Sequence, residues 1–179
     1  MVVMMIGFGM GTTAAVLIGQ NMGAGRTKRA QYSGYNALQY YELIVLPFVF
    51  LFLIFSPQII NIFSHNAEVL KVGTTFLRFI AVTLPFLAPA IILSRGIAGA
   101  GDTFASAVTA AITQLGLRVP LAYILVILLK FGSNGIWLAI NVSDVAGGLA
   151  MIWYFKKGFW QKKYYHHRAI LDAENLIIG

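Results

Sequence analysis

The sequence contains no cysteine. That excludes a disulfide framework, a thiol nucleophile and any cysteine-ligated metal site. Charge is the next scarcity. Only 11% of the 179 residues are Asp, Glu, Lys or Arg, where soluble domains carry about 25%. Acidic groups are scarcest, six against 13 basic residues. The three histidines, His65, His166 and His167, lie outside the apolar runs. Adjacent residues such as His166 and His167 cannot share one helical face, so no metal site is expected. No nucleophile–base set can be assembled, so no enzyme and no cofactor are expected either. Polar stretches are too short to make a second domain. What remains is apolar: 59% of the chain is hydrophobic. A soluble core cannot hide that much, and the fold class expected is all-α, a polytopic transmembrane helix bundle.

Five apolar spans stand out, roughly 1–19, 37–56, 73–97, 104–130 and 135–156, each near the ~20 residues that cross a bilayer core. Nine basic residues fall in three places between or beside them: Arg26, Lys28 and Arg29; Arg95; and Lys156, Lys157, Lys162, Lys163 and Arg168. Alternating spans put all three places on one face, leaving Lys71 and Lys130 in the opposite loops. The positive-inside rule then makes that face cytoplasmic, with residues 161–179 as a cytoplasmic tail and the chain integral to the cell membrane. The mixture of Trp160, Tyr164 and Tyr165 with basic residues in the tail suits anchoring to lipid headgroups. Tyr40 and Tyr41 suit a headgroup-level belt, beside Glu42 in water. The stretch "SPQIINIFSHNAEVL" is expected to be an outer connection dipping into the interface. The opening "MVVMMIGFGMG" has no charged leader region of the signal-peptide kind. The expectation is that an upstream portion is missing, the alternative being a five-span protein with Met1 outside.

Two glycine-rich stretches invite a nucleotide reading. "GQNMGAGRTKRA", Gly19 to Ala30, lacks the strand and the Gly-Lys-Ser/Thr ending of a phosphate loop. "RGIAGAGDT", Arg95 to Thr103, has no βαβ unit around it. Both are better taken as turns at the membrane face, with Asp102 and Thr103 capping the fourth span. A single small basic cluster does not make a nucleic-acid arm.

Ionisable groups within spans are costly and mark function or mutual pairing. Arg118 lies roughly 16 Å and Asp144 roughly 14 Å from the same outer face, at 1.5 Å per helical residue. They can therefore meet at one depth. Two readings stay open: a structural ion pair, or an Asp144 that exchanges a proton or sodium ion. Gln39, Gln114, Asn141 and Ser143 are candidates to line a cavity or to bond between helices. Pro85, Pro89 and Pro120 are candidate helix bends.

The motifs "GQNMGAGRTKRA", "RGIAGAGDT" followed by "LRVPLAYIL", and "GIWLAINVSD" ending in "KKGFW" occur in an order and spacing that carry a resemblance. The chain resembles the C-terminal lobe of the multidrug and toxic compound extrusion (MATE) family, helices eight to twelve of twelve, over about residues 1–160. The resemblance implies part of one six-helix lobe of a cation-coupled antiporter, using sodium ion or proton, that exports small amphipathic, often cationic compounds by alternating access. It implies a partner as well, a missing N-terminal lobe or a second copy, because five helices make no two-sided cleft and should not export alone. Some sodium-coupled members use an acidic residue in helix ten. Between Val69 and Gly101 this sequence has no Asp or Glu, so that site is not expected here. A lipid-linked oligosaccharide flippase of the same superfamily is the nearest alternative, and a non-transporting membrane fragment is the third.

Overall fold

The computed structural model describes residues 2–166 and 169. His167, Arg168 and the end of the expected tail, 170–179, lie outside the described residues. The described chain is helical throughout: α1 (Val2–Gly23), α2 (Thr27–Phe63), α3 (Ala67–Gly99), α4 (Thr103–Leu128) and α5 (Ser133–Lys157). All five helices are long and apolar enough to cross a membrane.

Short connections follow from local chemistry. Gly25 adopts φ +73°, a left-handed conformation that lets α1 turn into α2 within three residues. Asn66 caps α3, its side chain accepting from the backbone N–H groups of Glu68 at 2.9 Å and Val69. Asp102 caps α4 by accepting from the Ala105 N–H at 3.3 Å. Lys156 and Lys157 occupy the last turn of α5, where positive charge complements the free carbonyls.

Helices overrun the apolar spans. The 37 residues of α2 and 33 of α3 correspond to about 55 and 50 Å, well beyond the ~30 Å hydrocarbon core. Hydropathy registers only the part suited to lipid, while backbone hydrogen bonding carries the helix on through polar turns. The stretch from Ser56 is accordingly not a connection: it completes α2, and only residues 64–66 link α2 to α3. The expected headgroup anchoring by Trp160 also needs correction. Residues 159–166 continue as a short helix. Trp160 is fully buried there, stacked on Phe155 with ring centroids 5.1 Å apart. Tyr41 is likewise not a headgroup residue, because it is buried with its ring over Gly7 of α1.

At the centre of the bundle, α3 packs against α1, α2 and α5, while α4 flanks the bundle along α5. Ile92, Leu93 and Ile97 of α3 meet Ile18 and Met22 of α1 in a common core with Tyr41, Val45 and Phe155. Only Thr113 and Leu125 of α4 are buried, so its apolar outer face is free for lipid or another membrane partner. Bare backbone sets the tightest contacts. A side chain at Gly99 would overlap the Ala15 backbone of α1, and one at Gly148 would overlap the Phe86 backbone of α3. Small residues let membrane helices approach this closely. Pro85 and Pro89 lie inside α3, and Pro47 and Pro57 inside α2, with the helix continuous through each.

Candidate functional site

Arg118 and Asp144 form an ion pair between α4 and α5. Arg118 also donates from Nε to the Ser143 hydroxyl at 2.9 Å. The Ser143 hydroxyl in turn donates a hydrogen bond to the Ala139 carbonyl at 2.8 Å. Asp144 is 10% exposed and Arg118 26%. One turn earlier on α5, Asn141 donates to the Trp137 carbonyl at 2.8 Å and accepts from the Thr83 hydroxyl of α3. Polar groups from three helices thus meet at the depth of Asp144.

The local winding of α4 is what aims Arg118. Residues 112–118 and 124–128 are π-helical, with hydrogen bonds spanning five residues instead of four. Thr113 faces α5, and its carrier turn lies against Gly147. In an unbroken α-helix a residue five positions later would point about 140° away from Thr113. The widened turn brings Arg118 back toward that face. Pro120 stands two residues beyond, exposed. It offers no N–H and would clash with a carbonyl one α-turn back, a conflict that a wider turn relieves.

Asp144 borders two cavities. One, of about 120 Å³, is apolar and aromatic, with Phe76, Phe79 and Trp137 around Thr83, Asn141 and Asp144. The Trp137 ring lies 5.4 Å from Phe76 and 5.9 Å from Phe79, centroid to centroid. The other, of about 180 Å³, is the more polar of the two, with Ser94, Ser106, Thr109, Thr113, Gln114 and Ser143 among apolar residues on its walls. Of the four residues expected to line a cavity, Asn141 and Ser143 are buried beside Asp144 and Gln114 opens to the polar cavity. Gln39 is exposed on α2 and borders neither.

A second polar cluster ties the C-terminal helix to the bundle. Asp102 is 1% exposed. It accepts from Lys163 Nζ at 2.5 Å and from the Tyr154 hydroxyl at 2.6 Å. Burial pushes its carboxyl up, but the bonds from Lys163, Tyr154 and the Ala105 N–H outweigh burial and hold it below the usual carboxylate range. Sequence reasoning saw Asp102 only as a cap and Lys163 only as a headgroup anchor. It also missed Thr83, Phe76 and Phe79. Ser106, Thr109 and Thr113 recur at i, i+3 and i+7, a spacing that announces one polar helix face.

Comparison with known proteins places these helices. The MatE family profile matches residues 1–124. The uncharacterized transporter YisQ of Bacillus subtilis is 25% identical over 164 residues, covering 91% of this chain and 36% of its own length. The probable multidrug resistance protein NorM of Thermotoga maritima is 22% identical over 172 residues, 94% of this chain and 35% of its own. Multidrug and toxin extrusion protein 1 of Oryctolagus cuniculus is 26% identical over 161 residues, 90% and 28%. The chain therefore spans about a third of the length of the curated relatives it matches. The match and the five apolar helices together are those of a multi-pass membrane protein.

The pairing generates a measurable coupling. Arg118→Ala or Asp144→Ala strands one charge in a low-dielectric site, and each is expected to cost on the order of 3–5 kcal/mol of stability in detergent. The double variant should lose clearly less than the two single losses summed. Strictly additive losses would show that the two charges do not depend on each other.

Proposed function

Because the chain belongs to the MatE family, we propose that it supplies one wall of a cation-coupled exporter of small amphipathic cations, with Asp144 as the carboxylate that receives a sodium ion or proton. The observation that carries this reading is the position of Asp144, in the interior of a span and at the border of two cavities. A carboxylate so placed is costly unless it has a cation to hold. The aromatic cavity offers ring faces to an organic cation, and the polar cavity offers hydroxyl and amide oxygens. A phosphate-bearing oligosaccharide fits less well, since no lysine or arginine borders either cavity and Arg118 is already neutralised. The opposite wall of the cleft comes from an N-terminal lobe or from a second copy of this chain. Residues 1–160 act as the C-terminal lobe on this reading.

Transport tests the role of Asp144. In proteoliposomes holding the transport-competent assembly, with either kind of second lobe, an imposed sodium or proton gradient should drive export of a fluorescent cationic dye. Asp144→Asn should leave protein levels near normal and abolish the gradient dependence. Gradient-driven export retained by Asp144→Asn would remove Asp144 from coupling.

The orientation proposed puts Arg26, Lys28 and Arg29 after α1, Arg95 near the end of α3, and Lys156 and Lys157 at the end of α5 in the cytoplasm. His65, Ser133 and Lys157 are all exposed. Cysteines introduced at His65 and Ser133 should react with an impermeant thiol reagent on intact cells, and one at Lys157 should not. Labelling at Lys157 alone would invert the topology.

A further inference from the structure

Asp144 has one carboxylate and two cavities beside it, and Arg118 already pairs with Oδ1 of that carboxylate. We propose that Arg118 is an internal stand-in for the transported cation: a methylated ammonium group entering the aromatic cavity takes the Arg118 position on Asp144, and this competition selects the ligand. The idea rests on the reading of Asp144 as a cation-receiving group. It adds the competitor and the ligand class.

Three features of the site support exchange rather than a fixed pair. First, the aromatic cavity contains a single acidic group, Asp144, and its ring faces come from Phe76, Phe79 and Trp137. Ring faces attract quaternary and tertiary ammonium ions and hold them without hydrogen bonds. A volume of about 120 Å³ suits a methylated ammonium head, while the apolar remainder of an amphipathic molecule stays outside. Second, Arg118 has somewhere else to go. Its Nε bond to Ser143 does not involve Asp144, and Gln114 and Thr113 line the polar cavity that also contains Ser143. A released guanidinium keeps acceptors there. Third, Asp144 is never left alone during the exchange. A lone buried carboxylate is strongly disfavoured, so an incoming cation is held only as Arg118 gives way, and a neutral or anionic molecule cannot displace it.

Arg118 is therefore a specificity-determining residue whose charge weakens ligand binding. Equilibrium binding of tritiated benzyltrimethylammonium to the purified chain, as monodisperse protein in detergent, tests this directly. Removing the competitor with Arg118→Met should tighten binding about tenfold, equivalent to about 1.4 kcal/mol. Arg118→Lys keeps the charge but loses the fork shared between Asp144 and Ser143. It should tighten binding by a smaller factor, about threefold, and it serves where the methionine variant folds poorly. Asp144→Asn should lose binding, and Arg118→Met/Asp144→Asn should match Asp144→Asn. If the wild type binds through Asp144 but both Arg118 variants bind no more tightly, the competition is wrong and the carboxylate reading survives. If the wild type and both Arg118 variants bind no better than Asp144→Asn, both readings fall.

Discussion

Gly147 and Gly148 set the separation between α5 and its two neighbours. Gly148 faces α3 so closely that a Cβ would overlap the Phe86 carbonyl, and Gly147 faces Thr113 on α4. These contacts fall one turn beyond Asp144, on the same helix. In a membrane, where lipid tails are as apolar as leucine, helices associate through close packing and interhelical hydrogen bonds rather than through exclusion of water. A glycine pair at this depth supplies the packing and thereby sets the hydrogen-bond geometry. Thr83 reaches Asn141 from α3, and Arg118 reaches Asp144 and Ser143 from α4. Larger residues at 147 and 148 would push both sets of partners away.

The π-helical turns of α4 complete the arrangement. The glycines bring α4 close, and the wider winding turns Arg118 toward α5. Such turns cost regular α-helical bonding and are frequent at functional sites. In α4 they bracket Pro120, which cannot supply a regular bond in any case. An ion pair, one of the two cavities and a rewound helix therefore coincide on the least buried helix of the bundle. The more regular α1, α2 and α3 pack around a plain apolar core and carry the turn chemistry at Gly25 and Asn66.

Helix number and order are legible in the sequence because apolar length and basic clusters record them directly. The common depth of Arg118 and Asp144 is legible too, since rise per residue is nearly constant. Helix ends are not. The polar turns that finish α2 at Phe63 read as a loop when hydropathy is the only guide. The same holds for residues 159–166, whose basic character masks the buried Trp160 and the Lys163 bond to a carboxylate 61 positions earlier. Contacts of that separation leave no local periodicity. The π winding is hidden for a different reason: a change from four-residue to five-residue bonding needs no special residue at the turn itself. The spacing of Ser106, Thr109 and Thr113 was the available signal for the polar cavity wall. Family membership, in turn, is legible in motif order over most of the chain, whereas the role proposed for Asp144 rests on what surrounds it.

Close approach at the glycine pair holds the intramembrane ion pair together. Measuring the Arg118–Asp144 coupling in a Gly147→Leu background tests it most directly, because this change enlarges the contact with Thr113 and touches neither charge. If spacing governs the pair, the coupling should fall to within the ~0.5 kcal/mol scatter of independent sites. A coupling undiminished from the glycine-containing chain would contradict the account.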